Sequence, residues 1–247
     1  MAAAVEIRPL TGLDDFQRCV ELQKIIWGFD DVDVVPLRLF VVAMKIGGQV
    51  FGAFDAKEMI GFVMAVPGYR NGRIYMHSHM AAVLPDYQSH GIGRQLKLKQ
   101  REDALVRGID LLEWTFDPLA FRNAHFNIER LGAIMRRYVR NQYGRTSSPL
   151  HGGLPTDRLV AEWWLRAPRV EAVVRGAKVP HPTDAVRLLV PAALHEVKKT
   201  DMAAAEKMQG EVRRQFEEWF GRGYAVIGFE SDQTGGTFLL APYKGDK

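Results

Sequence analysis

The stretch Val83-Leu84-Pro85-Asp86-Tyr87-Gln88-Ser89-His90-Gly91-Ile92-Gly93 decides how the rest of the chain is read. It stands between an apolar, strand-like run from Ile74 to Val83 and a helical run that opens at Ile92. Glycine in a strand-to-helix turn lets the backbone approach a ligand closely and take a φ that a Cβ would forbid. The amides of residues 88–94 then sit at a helix N-terminus, where backbone donors and the helix dipole favour phosphate. The turn is a candidate cradle for a diphosphate. Two common glycine motifs are excluded. A dinucleotide-binding turn needs a third glycine three residues beyond Gly93, where Leu96 stands, and a Walker loop needs Gly-Lys-Ser/Thr, whereas Gly93 is followed by Arg94.

Working outward, residues 5–9 read as a strand, and Thr11 with Asp14 forms a capping-box-like start to a helix reaching Trp27. Pro36 opens a second helix that Gly47-Gly48 stops. Gln49 to Asp55 and Met59 to Val66 read as an antiparallel pair around Ala56-Lys57-Glu58. After the turn come a helix over about 92–107, a strand from Ile109 to Phe116, and a helix from His125 to Asn141 with Gly144 as its stop. A strand from Arg158 to Leu165 follows. Residues 166–182 hold Pro168, Gly176, Pro180 and Pro182 and read as a connector. The C-terminal remainder reads as a β-α-β-β unit: Val186 to Val190, a helix over about 202–220 with an apolar stripe at Met208, Val212, Phe216, Trp219 and Phe220, then 224–229 and 237–240.

With Val83-x-Pro85 ahead of it, the glycine turn resembles motif A of the GCN5-related N-acetyltransferases (GNAT), and the β-α-α-β-β-β-α-β-α order is that of their core. Arg122-Asn123-Ala124-His125-Phe126-Asn127, followed by Leu131-Gly132, resembles their motif B. The resemblance covers about residues 5–165. It implies an α/β fold with a mixed sheet: a GNAT-like acyl-CoA acyltransferase domain over 1–165, a connector over 166–182 and a smaller C-terminal unit over 183–247. It also implies acetyl-CoA or another acyl-CoA as co-substrate, with the diphosphate on Gln88, Ser89, His90, Gly91, Ile92, Gly93 and Arg94. The amides of Ala81, Ala82 and Val83 would serve as oxyanion and pantetheine donors, and Asn123 and Asn127 would contact the cofactor. In relatives the strands on either side of the turn splay apart, and the pantetheine arm enters the gap. Gly91-Ile92-Gly93-x-x-Leu96-Lys97, Trp114-Thr115-Phe116-Asp117-Pro118-Leu119 and Asn123-Ala124-x-Phe126-Asn127 look like a bacterial subgroup with a C-terminal extension. Members of that subgroup are associated with N-acylation of amino acids, including succinylation.

Acyl transfer to an amine needs a base for the amine, donors for the developing oxyanion and an outlet for the thiolate. His77 and His79 are placed by strand alternation on one face, and an imidazole titrates near ~6.5, suited to a base. In relatives a carboxylate early in this strand is the base, and His77 stands at a similar distance before the glutamine. Both histidines also read as hydrogen-bonded polar residues on the open side of the sheet. His-x-His alone lacks a third ligand, so no metal is expected. Glu113, which interrupts an apolar run, is a candidate to orient a histidine or act through water, or a polar residue on a solvent face. Relatives carry an acid tyrosine three residues before Leu131-Gly132, where this chain has Ile128. Tyr138 is the substitute candidate, although Ile128, Leu131, Met135 and Tyr138 also fit a buried helical stripe. Arg158 could clamp a substrate carboxylate or pair with Asp157 or Glu162. Trp163 and Trp164 read as packing residues.

Charged residues make up 25% and hydrophobic residues 47%, an ordinary globular balance with material for a core. The apolar runs are too short to span a bilayer, and Met1-Ala2-Ala3-Ala4 does not open a secretory signal. Cys19 is the one cysteine, which excludes a disulfide framework; it shares a helical face with Phe16 and Ile26 and reads as a core residue. These readings predict a soluble cytoplasmic protein. Arg94, Lys97, Lys99, Arg101 and Arg107 form one basic group and Arg136, Arg137, Arg140 and Arg145 another, read as attraction for a polyanionic ligand or as solvated faces. They lack the interleaved aromatics of a nucleic-acid surface. The expected function is acyl-CoA-dependent N-acyl transfer to a small-molecule amine, with a non-catalytic acyl-CoA-binding module as the alternative. No nucleic acid or membrane partner is expected, and a homodimer is admitted.

Overall fold

The computed structural model describes residues 5–144, 153–243 and 245, so Met1 to Ala4 and Arg145 lie outside the described residues. Contacts divide the chain between Glu113 and Trp114 into two compact units.

In the first unit the elements run β1 (Glu6–Pro9), α1 (Leu13–Trp27), α2 (Leu37–Lys45), β2 (Gln49–Asp55), β3 (Glu58–Arg70), β4 (Arg73–Val83), α3 (Ile92–Val106) and the start of β5 (Leu111–Phe116). The sheet order is β1-β2-β3-β4-β5, antiparallel except for the parallel β4–β5 pair. The expected capping box at Thr11 does not form: Gly12 is the N-cap of α1, with no side-chain hydrogen bond. Asp14 and Asp15 in the first turn complement the helix dipole instead. β3 and β4 are joined by Asn71-Gly72, whose φ values of 51° and 76° suit a tight hairpin turn.

Helices cover the sheet on two faces. One cluster joins Phe16, Cys19 and Leu22 of α1 and Phe40 and Ala43 of α2 to Phe54, Phe62, Met64, Met80 and Ala82 of the strands. The other joins Ile92 and Leu96 of α3 to Phe51, Ala53, Ile60 and Val63. Cys19 is a core residue, 3.9 Å from the Met59 sulfur, and burial pushes its thiol pKa up.

One irregularity matters for the site. In the β3–β4 ladder Met64 pairs with Met80 and Ala65 with Ser78, so His79 is an extra residue on β4. A bulge of this kind re-aims side chains. Before it, Ser78 bonds to residues of α3; after it, Met80 and Ala82 pack with α1 and α2, and Val83 packs against Ile92 and Leu96. The strand thus exchanges the faces to which its even-numbered and odd-numbered residues point.

The second unit holds the end of β5, α4 (Phe121–His125), a π-helical turn (Phe126–Arg130), β6 (Ile134–Val139), β7 (Arg158–Trp164), α5 (Pro168–Val174), β8 (Val186–Pro191), α6 (Leu194–Thr200), α7 (Met202–Gly221), β9 (Tyr224–Ser231) and β10 (Gly235–Pro242). Its strands run β7-β6-β9-β10-β8. The helix expected over 125–141 is a correction. The helical segment ends by Leu131, Gly132 takes φ +78°, and residues 134–139 form a strand. The stretch read as connector contains α5, and α6 was not anticipated. On α7, Ala205, Gln209, Val212 and Phe216 are buried at helical spacing, with the Phe216 ring 5.2 Å from Phe238. The element order through β5 and the mixed sheet of the first unit are those that the resemblance implies.

Candidate functional site

The strand–turn–helix begins on β4, whose parallel pairing with β5 is recorded at Met76–Leu112 and His77–Glu113. Among the described residues of this unit, no other strand pairs with the β4 edge that faced β5 from Ser78 to Val83. Alternate amides of that segment, which includes Ala81, Ala82 and Val83, therefore point away from β3. After Val83 a single 3-10 turn, Pro85–Tyr87, carries the chain into Gln88, whose side chain donates back to the Val83 carbonyl at 2.9 Å. The Tyr87 hydroxyl donates to Asp55 on β2 at 3.0 Å. Both bonds tie the turn to the sheet.

Ser89 and Gly91 adopt left-handed φ values of 66° and 82°, and Gly91 is the N-cap of α3. A Cβ built on Gly91 meets no protein atom within 4 Å, so the space above this backbone is open. Gly91 is thus the residue whose conformation requires glycine. The first amides of α3, at Ile92, Gly93 and Arg94, are those an α-helix leaves without intrahelical acceptors. His90 is exposed between them and Ser89. Residues 88–94 form one continuous run of backbone into the start of α3, where amide donors and the helix dipole favour an anion.

The two imidazoles lie on one side of β4, with ring centroids 6.1 Å apart. His77 is half-buried. The His79 ring is accessible to water yet crowded by protein, and the resulting desolvation of the imidazolium lowers its pKa below the usual histidine value. Glu113 is buried rather than solvent-facing. Both its carboxylate oxygens accept from Arg70, one at 2.9 Å, and the Arg70 guanidinium also lies 4.9 Å from the centre of the Tyr75 ring. Sequence reasoning missed this clamp, since Arg70 and Glu113 are 43 residues apart.

The first basic group is not a solvated face throughout. Lys97 is only 3% exposed. Lys99 pairs with Glu102 at 2.9 Å, and Arg107 with Asp103 at 2.9 Å.

The remaining candidates belong to the second unit. Asn123 is exposed on α4. Asn127 is buried in the π-helical turn, where its side-chain oxygen accepts from the Trp114 indole at 3.1 Å. Tyr138 is on a strand, not a helix; its hydroxyl donates to Asp157 at 2.9 Å and its ring stacks on Phe216. Burial and the Asp157 charge raise its pKa, so its proton is held tightly. Arg158 is buried, donates to the Asp157 carbonyl at 3.1 Å, and lies against the Tyr143 ring. Asp157 pairs with Arg213 at 2.8 Å, and Glu162 pairs with Arg136 at 2.5 Å and with Arg137 at 3.2 Å. Arg140 in turn pairs with Glu217. The described members of the second basic group therefore neutralise carboxylates. Trp163 is buried and donates to the Leu131 carbonyl.

Among the described residues, no group of three or more His, Cys, Asp or Glu could hold a metal ion, and no helix is long and apolar enough to cross a membrane.

Residues 46–132 match the family model described as an acetyltransferase (GNAT) domain. No curated protein sequence matches the chain. A GNAT-family protein of Desulfovibrio desulfuricans is similar in fold at a TM-score of 0.53 and 17% identity, over 66% of this chain and 99% of that one. The ribosomal-protein-S18-alanine N-acetyltransferase of Escherichia coli matches at 0.52 and 18% identity, over 66% and 96%. NAA60 of Arabidopsis thaliana, in complex with a bisubstrate analogue, matches at 0.53 and 14% identity, over 65% and 98%. Residues 46–132 thus match an acetyltransferase (GNAT) domain, and the solved structures are similar to the chain in fold.

Proposed function

We propose that the protein transfers an acyl group from acyl-CoA to the amine of a small molecule, with free amino acids as the first acceptors to try. The observation that carries the reading is the unbroken run from the open edge of β4, past His79, into the left-handed turn at Gly91. The open space at Gly91 suits a diphosphate brought against the backbone. Acyl-CoA would supply the thioester carbonyl and carry away the thiolate.

The residues of the chain divide the remaining work. The amides of residues 88–94 hold the diphosphate, and the outward amides among Ala81, Ala82 and Val83 donate to the oxygen on which charge develops. One such donor is typically worth about a hundred- to a thousandfold in rate. His79 is the base: it is reachable by water and substrate, and its lowered pKa keeps it neutral at physiological pH. His77, beside it, shares the face. No tyrosine acid is required, because a thiol with a pKa near ~8.5 leaves readily as thiolate. Tyr138, whose proton is committed to Asp157, is left out of this scheme.

A second reading, a non-catalytic acyl-CoA-binding module, draws support from Glu113 and Tyr138, each already occupied by Arg70 and Asp157. Thiol release separates the two. Purified protein would be mixed with acetyl- or succinyl-CoA and a panel of amino acids and other amines. Acceptor-dependent release supports the enzyme; measurable CoA binding with no release from any acceptor supports the binding module.

A further inference from the structure

Beneath β4, on the side opposite the histidines, α3 places a lysine in the interior. Lys97 Nζ donates to Ser78 Oγ at 2.7 Å, and Ser78 Oγ donates to Gln100 Oε1 at 3.0 Å. Lys97 is 3% exposed, Ser78 4% and Gln100 fully buried. From β2, Gln49 extends the cluster: its side-chain nitrogen donates to the Gln100 carbonyl at 2.9 Å and to Asp103 at 2.7 Å. Placing an ammonium in the interior is costly, and burial lowers the Lys97 pKa to about 7. An apolar side chain at this position would pack at lower cost. A residue that breaks the local rule in this way is expected where function compensates for it.

The position of the cluster supplies the compensation. A bulge leaves its extra residue unpaired in the ladder, so the strand needs another anchor there. Ser78 is the residue just before the extra residue His79, and His77 and His79 flank it on the other face. Two bonds from a single helix hold its hydroxyl. The same helix begins at the Gly91 turn, so α3 links the register of the bulge to the diphosphate cradle.

We propose that Lys97 is a positioning residue, fixing the β4 bulge through Ser78 and thereby the placement of His77 and His79. This rests on the acyltransferase reading for its effect on rate, but not for its effect on the histidines. The charged and titratable groups near the cluster include Asp103 on α3, His77 and His79 on β4, and Glu113 with Arg70 beside His77.

The test uses the full chain with K97M, S78A and S78T, and reads both the nuclear magnetic resonance titration of the two imidazoles and the steady-state kinetics. Thr keeps the hydroxyl, so S78T is expected to keep kcat within about twofold of the parent. K97M and S78A are expected to lower kcat by about ten- to a hundredfold, as small displacements of catalytic groups do, while CoA affinity changes by less than about threefold. The K97M/S78A double variant should be no worse than K97M, because the two residues act as one unit. In both single variants the His79 titration should move up towards the ordinary histidine value. Unchanged imidazole titrations in S78A would overturn the proposal even if K97M fails to fold. Should the parent release no thiol with any acceptor, the acyltransferase reading falls, and the titrations alone decide whether Lys97 sets the histidines.

Discussion

An imidazole that takes a proton from an amine must be neutral at the working pH, and the crowding around His79 moves its pKa in that direction. The base works only when deprotonated, so activity should rise with pH through a midpoint below the usual ~6.5 of histidine and be flat by neutrality. Replacing His79 with alanine should remove that limb and lower kcat by about a hundred- to ten-thousandfold. An acid limb that survives unchanged in His79→Ala assigns the base elsewhere. At this scale, the His77-Ser78-His79 triplet was readable because strand alternation is local. The Arg70 clamp on Glu113 and the Asp157 acceptor for Tyr138 were not, because each joins residues separated by many positions in sequence and brought together only by the sheet.

At the scale of elements, the strand–turn–helix was legible because its glycine requirement is a backbone property that the sequence states directly. Gly91 has φ +82°, and a Cβ there meets no atom within 4 Å, so Gly91→Ala should cost stability through backbone strain alone, about 1–2 kcal/mol. If phosphate approaches this backbone, the same change should also weaken CoA binding by about tenfold or more, well beyond what the strain explains. Calorimetric titration combined with thermal melts separates the two losses; equal CoA affinity in parent and variant would remove Gly91 from the cradle. The 125–141 helix was misread because Met135 and Tyr138 keep helical spacing with Ile128 and Leu131 while Gly132, at φ +78°, ends the turn. A bulge between Met135 and Arg137 in the β6–β7 ladder also disturbs the two-residue alternation that would have announced a strand. Lys97 was placed with its basic neighbours on a surface. Its helical partners gave the signal: Ile92, Leu96, Gln100 and Ala104 are buried on the same side of α3.

At the scale of the molecule, the buried lysine makes stability depend on pH. Its folded-state pKa, about 7, lies below the ~10.4 of an unfolded lysine, so between those values only the unfolded chain holds the proton. Stability contributed at this site is therefore lowest below pH 7 and rises with pH by on the order of 1.4 kcal/mol per unit above it. The buried Cys19 thiol, with its raised pKa, acts in the opposite sense once an unfolded cysteine ionises, near ~8.5. The comparison is thus made between the parent and K97M over pH 7 to 8.5, where denaturant unfolding should show K97M gaining most at the lower pH. A constant difference across that window would mean that Lys97 is not buried as an amine. The order of elements through β5 was legible from periodicity and turn residues, and it led to the right fold class. The division after Glu113 was not, since it depends on contact density rather than on any proline- or glycine-rich break.

The account rests on the turn at Gln88 to Gly93 recognising the diphosphate of coenzyme A rather than that of another nucleotide. Calorimetric titration of the purified chain with CoA, ATP and NAD at one ionic strength addresses this directly. CoA is predicted to bind at least about tenfold more tightly than either competitor, a difference of about 1.4 kcal/mol. Binding of ATP or NAD as tight as that of CoA would contradict it.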